Sequence, residues 1–281
     1  MTDRYADGVW GFDEGVERPT RPLDAERAWR ATAPRAAECV MSFDFDGVLS
    51  PMNADPDAAR PVPESLAAID ALASVVRRVA IISARPVDFL RTRLDVLSGV
   101  DLYGLYGLEH SHDGGPTVTE PAALPYVPVM DALAARARVE LPGSLVEYKR
   151  LSVALHYRTA PELAASVEEW AAERAGELGL RVQTGRMVVE LKPPVDRDKG
   201  AVIGEAVASA GCAWYFGDDV SDLKAFAALR SREARDPAFF GVCVAVANPE
   251  TGQAVADEAD LTFDSPTALA AFLTTAAASL T

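Results

Sequence analysis

Apolar residues fall into short runs separated by polar turns, and the spacing within the runs changes along the chain. Residues 39–45 (CVMSFDF) are apolar and β-rich, and they run into the turn-like DGVLSP. Residues 63–76 carry Leu66, Ile69, Leu72, Val75 and Val76 at the spacing that predicts a helix. VAII at 79–82 predicts a short buried strand. Pro86 then marks a helix start that Phe89, Leu90 and Leu94 continue. A further strand is predicted over 101–106. This strand–helix rhythm predicts a parallel sheet with helices on both faces.

The pattern changes after Gly114 and Gly115. Residues 145–157 (LVEYKRLSVALHY) hold two strand-like runs, and 161–178 form an amphipathic helix with Leu163, Val167, Trp170 and Leu178 on one face. Residues 180–191 predict a hairpin turning at Thr184-Gly185. Alternation resumes at Asp198, with predicted helices over 199–209, 221–230, 251–258 and 266–279 and strands over 212–216, 241–246 and 261–263. The expected fold is α/β: a parallel-sheet, Rossmann-like core over 37–112 and 194–281, with an inserted α+β unit over 113–193. Residues 1–36 are polar and irregular and form an N-terminal extension.

Composition narrows the partners. The 27 Lys and Arg face 42 Asp and Glu, a net charge of −15 in 281 residues. So acidic a surface repels nucleic acid and anionic lipid, and neither is expected as a partner. An anionic substrate then needs a local cation to reverse the field. No apolar run reaches membrane-span length, and the N-terminal segment lacks a signal-peptide core. Cys39, Cys212 and Cys243 sit apart in apolar runs, as buried small hydrophobes do. A cytoplasmic location is expected.

Four places carry candidate chemistry. In Asp44-Phe45-Asp46-Gly47, alternate residues put both carboxylates on one side of a strand end, where open α/β sheets bind ligands. Such a pair can hold a divalent cation or divide nucleophilic and acid/base roles, though two acids also simply cap turns. Gly217-Asp218-Asp219-Val220-Ser221-Asp222 follows a second apolar run. Three acids in five positions exceed what a helix cap requires, and no Glu follows at calcium-loop spacing. Ser83, with Arg85 two residues on, precedes a helix whose free N–H groups can cradle phosphate, although Ser is also a common cap. Lys199, in DRDKG, opens another helix; most such lysines are only solvated.

Taken together, and in the chain order DxD, Ser83, Lys199, Asp218-Asp219, the four resemble the haloacid dehalogenase-like superfamily of phosphotransferases. YGLEH (106–110), VEYKR (146–150), HYR (156–158) and VVELKP (188–193), with RDKG and GDDVSD, are similar to the trehalose-6-phosphate phosphatase family. That resemblance implies an Mg²⁺-dependent sugar phosphatase with an inserted cap domain. Asp44 is then the nucleophile and Asp46 the acid/base. Ser83 and Lys199 hold phosphate, and Asp222 orients Lys199. Asp44, Asp46, Asp218 and Asp219 form the metal set. Glu147, Lys149 and Glu190 grip sugar hydroxyls, with Arg85, His110 and Arg158 as further substrate contacts. Position 48 carries Val, 84 Ala and 223 Leu where that family usually has Thr, Gly and Glu. A separate trehalose-6-phosphate synthase and a monomeric state are expected. The same core motifs fit a phosphatase of another sugar phosphate or phosphorylated glycosyl acid, or a phosphomutase. A non-catalytic regulatory protein on the same fold is the alternative of another class.

Overall fold

The computed structural model describes residues 23–53, 55–185, 187–249 and 251–280. The first elements are α1 (Ala25–Thr32), β1 (Cys39–Phe43), α2 (Pro63–Ala73), β2 (Arg78–Ile82), α3 (Val87–Arg93), β3 (Val100–Gly104), β4 (Glu109–Ser111) and β5 (Val118–Thr119). An inserted unit follows: α4 (Val127–Glu140), β6 (Leu145–Tyr148), β7 (Val153–His156), α5 (Ala164–Leu178), β8 (Arg181–Gly185) and β9 (Val188–Lys192). The chain then returns through α6 (Lys199–Ala206), β10 (Cys212–Gly217), α7 (Leu223–Arg235), β11 (Phe240–Val246), β12 (Leu261–Phe263) and α8 (Pro266–Ala278).

One sheet has the order β12-β11-β10-β1-β2-β3-β4-β5. Its first six strands pair in parallel, and β4 and β5 add an antiparallel edge. β1 lies in the middle and is buried along its length, so its residues are apolar on both faces. Met41 and Phe43 face α1, α2, α3 and α8 with Ile81, Trp214 and Val244. Val40, Ala80, Tyr215 and Cys243 face α6 and α7. The α/β fold expected from the sequence is the one observed.

The second sheet, β6-β7-β9-β8, is antiparallel throughout. One face packs Val153, Leu155, Val189 and Leu191 against Met130 and Leu133 of α4 and Val167 and Trp170 of α5. The inserted unit therefore has its own core. The tip of the β6–β7 hairpin plugs back into the first unit, where Leu151 packs with Leu105, Leu108 and Ala123.

Three expectations change. Residues 1–22 of the expected extension lie outside the described residues, but its end is an ordered helix. Trp29 of α1 packs edge-on against Trp214, with ring centroids 6.0 Å apart, and donates to Ser279 Oγ at 2.8 Å. Its amphipathic spacing is hidden by four charged residues in and just before eight residues. The hairpin turn falls after Gly185, with Met187 at φ +60°, so Thr184 and Gly185 stay in the strand. The predicted helix over 251–258 is mostly turns, with a 3-10 turn at Ala256–Glu258, because Gly252 takes φ +64°. No helix among the described residues is long and apolar enough to cross a membrane.

Candidate active site

The C-terminal ends of β1, β2, β10 and β11 converge on one cavity of about 1030 Å³, roofed by the free face of the second sheet. Parallel strands deliver their next residues to this edge, so Asp44, Ser83 and Asp218 arrive together. Asp46, Arg85, Lys199 and Asp219 line the same space from the first unit, and Glu147, Lys149, Arg158 and Glu190 from the second. Of the candidates named from sequence, only Asp222 and His110 are outside it. Asp222 lies directly beneath. His110 is not brought to the site: on antiparallel β4 its ring packs against Tyr103 and His112.

At the centre, Lys199 Nζ stands 2.8 Å from Asp44 Oδ2 and 2.6 Å from Asp222 Oδ1, all three side chains being buried. Burial pushes the Asp44 carboxyl up to about 7, with Lys199 opposing and Asp222 adding to the rise. Burial, Asp44 and Asp222 together hold the Asp218 carboxyl well above its ordinary range. Burial weighs against a charged Lys199, but Asp222 and Asp44 outweigh it and hold its pKa above the ordinary lysine value. Asp222 Oδ1 also accepts from Tyr215 at 2.6 Å, and Oδ2 accepts from the backbone N–H groups of Asp218 and Asp219 at 3.0 Å. Four donors saturate it, so its role is to hold the lysine and the loop.

Carboxylate oxygens of Asp44, Asp218 and Asp222 lie within 4.8 Å of one another. Three carboxyl groups thus crowd one ammonium in a buried space. With Asp222 committed to the lysine and the loop, Asp44 and Asp218 supply the hard oxygen donors that fit a magnesium ion. Gly47 allows the close approach: at φ +76° a Cβ there would stand 1.9 Å from Asp218 Oδ2. Asp218 is steadied by Asn248 Nδ2, which donates to its Oδ2 at 2.7 Å, and by Thr251 Oγ1, which donates to its carbonyl at 2.8 Å. Sequence reasoning passed over both; the available signal was a polar residue just past the apolar β11 run.

Three of the N–H groups where the cradle ahead of α3 is expected are already paired. The N–H of Ser83 donates to Tyr103 O, that of Arg85 to Ser83 Oγ, and that of Val87 to the buried Glu109 carboxylate at 3.1 Å. Arg85 instead turns its fork to Asp46, Nε to Oδ2 at 2.8 Å and Nη2 to Oδ1 at 3.0 Å.

The roof is built by register. Glu147, Ala154, Glu190 and Gln183 stand side by side across β6, β7, β9 and β8, opposite to the apolar face. Glu190 accepts from Ser152 Oγ at 2.6 Å and lies 3.4 Å from Lys149 Nζ. Glu147 Oε2 lies 2.9 Å from His156 Nε2 and 3.6 Å from Lys149 Nζ. Burial would raise the Glu147 carboxyl, but His156, Lys149 and Arg85 draw it down to about 2. Tyr106, at φ +60° between the two units, offers its hydroxyl to Glu190 at 3.4 Å and accepts from Gln183 at 3.1 Å. Neither Tyr106 nor Gln183 was singled out from sequence. The family's usual Thr and Glu positions point elsewhere here: Val48 is buried in the core, and Leu223 packs on the cluster between the sheet and α6 and α7.

Known proteins are similar to this chain in sequence and in fold. The chain is 37% identical over 245 residues to a trehalose-phosphate phosphatase of Mycolicibacterium paratuberculosis, covering 82% of this chain and 60% of that one. It is 35% identical over 246 residues to one of Mycobacterium leprae, covering 82% and 56%. The chain thus spans less than two thirds of the length of these curated relatives. The fold matches the C-terminal domain of a C. albicans trehalose-6-phosphate phosphatase with a TM-score of 0.74 at 21% identity, over 91% of this chain and 97% of that one. The trehalose-phosphatase family model matches residues 42–259, a span that takes in the aspartate–lysine centre and the whole sheet above it, and the chain belongs to that family.

Proposed function

We propose that the protein hydrolyses trehalose 6-phosphate to trehalose and phosphate, with Asp44 as nucleophile. One observation carries this reading. The buried Asp44–Lys199 pair, backed by Asp222, and the row of Glu147 and Glu190 on the opposing sheet face a single cavity. A phosphate seated at the first places its sugar against the second, where charged groups bind hydroxyls through charge-assisted hydrogen bonds. The inserted unit, from α4 to β9, acts as a cap that excludes water; β5, within the 113–193 expected from sequence, pairs into the main sheet instead.

On this reading Asp44 attacks phosphorus in line and carries the phosphoryl group as an aspartyl-phosphate. Asp46 protonates the departing sugar oxygen and then takes a proton from the water that releases phosphate, help typically worth about 10²–10⁴-fold. Lys199 and Ser83 hold phosphate oxygens, and Asp222 keeps Lys199 in place. Mg²⁺ would be held by Asp44, Asp218 and the Asp46 carbonyl, with Asp219 acting through water, and would offset the charge of the phosphate dianion. Lys149 and Arg158 complete the sugar contacts. The enzyme acts in the cytoplasm as a monomer, on substrate from a separate synthase.

Phosphate release from a panel of sugar phosphates, with Mg²⁺ and with chelator, tests the reading. Metal-dependent release from trehalose 6-phosphate, lost in Asp44→Asn, is expected. Release only from another sugar phosphate overturns the substrate and leaves the chemistry standing.

A further inference from the structure

Asp46 does not stand alone in the cavity. Its two carboxylate oxygens both accept from Arg85, at 2.8 and 3.0 Å, in the forked geometry that fixes a carboxylate in plane as well as in place. Arg85 is itself built in. Its guanidinium carbon lies 4.7 Å from the centre of the Phe89 ring, and its backbone carbonyl accepts from Leu105. Only 11% of its side chain is exposed. The third corner of the fork, Nη1, points across the cavity to Glu147 Oε1 of the opposing sheet at 3.7 Å. Glu147 is anchored in turn by His156. A line of polar contacts, His156–Glu147–Arg85–Asp46, thus runs from the cap sheet to the loop after β1. With two edges and one face of the guanidinium engaged, Arg85 is better placed to aim a neighbour than to bind substrate.

We propose that Arg85 is a positioning residue that fixes the Asp46 carboxyl and ties its placement to the cap through Glu147. The inference rests on the acid/base role proposed for Asp46. Its consequence is selectivity. A sugar alkoxide is a poor leaving group and depends on a well-aimed Asp46, so its release requires the cap to be seated. A phosphate ester with a good leaving group depends on Asp46 far less.

The test is hydrolysis of a leaving-group series, from nitrophenyl phosphate through phenyl phosphate to a hexose 6-phosphate, by wild type, Arg85→Met, Arg85→Lys and Glu147→Gln. Arg85→Met should lose about 10²-fold or more in kcat/KM on the sugar ester, and at least about tenfold less than that on nitrophenyl phosphate. Arg85→Lys should resemble Arg85→Met, because a single ammonium cannot hold both oxygens. Adding Arg85→Met to Asp46→Asn should cost little more than Asp46→Asn alone, the non-additivity of groups that act as one. The aryl esters offer Glu147 no sugar to grip. A steeper leaving-group dependence of Glu147→Gln across them therefore reports the cap half of the link.

Equal losses on all esters, or full additivity with Asp46→Asn, would overturn the proposal. An unchanged slope in Glu147→Gln would overturn its cap half. A wild type that cleaves the aryl esters but no sugar phosphate would sink the proposed substrate, and the aryl slopes would still decide the role of Arg85.

Discussion

Lys199 Nζ lies 2.6 Å from Asp222 Oδ1, with both side chains out of solvent. Buried charges of this kind are stable only as a set, because each desolvated group relies on the others. Lys199→Met should therefore destabilise the protein by about 3–5 kcal/mol, since it strands Asp222 beside Asp44. It should also lower turnover by about 10²–10³-fold through loss of a phosphate-facing cation. Urea unfolding and phosphate release measure the two effects separately.

Gly47→Ala should fail for two reasons at one atom. The backbone there is left-handed, and the added Cβ would meet Asp218 Oδ2 at 1.9 Å. A cost of about 1–3 kcal/mol is expected, together with weakened metal binding as Asp218 is displaced. Isothermal titration with Mg²⁺ and a denaturant melt check this. An unchanged affinity would show that Asp218 is not held against the loop.

Glu147 predicts a pH dependence. Its folded-state value of about 2 lies below the ordinary 4.5, so its contribution is complete above about pH 4.5 and fades as the pH falls toward 2. The contribution is at most about 3 kcal/mol. The difference in unfolding free energy between wild type and Glu147→Gln should be flat from pH 8 to about 5.5 and shrink below 4.5. A difference that stays constant to pH 3 would mean the ion pairs around Glu147 add no stability.

Trp29 seals one face of the main sheet. It stacks edge-on to both Trp214 and Phe272 and its ring N–H reaches Ser279. Trp29→Ala should cost about 3–5 kcal/mol by cavity formation and leave KM unaltered. Thermal unfolding alongside steady-state kinetics separates the two.

The central strands were legible because a parallel sheet covered on both faces leaves apolar runs such as CVMSF and CAWYF with no alternation to misread. Asp44 and Asp218 were legible only in company: acids after such runs also cap turns, and it was their occurrence with Ser83 and Lys199, each at an element boundary, that marked a site. β4 and β5 were not: EHS and VT are too short and polar to carry a period, and they are strands only because β3 offers an edge. Nor could spacing show that Glu109 would close the α3 N-terminus, since that contact joins residues whose chain separation says nothing about distance. Arg85 was found, but its fork on Asp46 depends on two loops meeting in space.

The inserted sheet puts its apolar core on one face and its cavity contacts on the other. Positions such as 156, 183 and 188 can therefore change identity without loosening the hydrophobic packing behind them. Substrate preference on such a scaffold is open to single-step evolutionary change, whereas the aspartate–lysine centre below, where every group leans on another, is not.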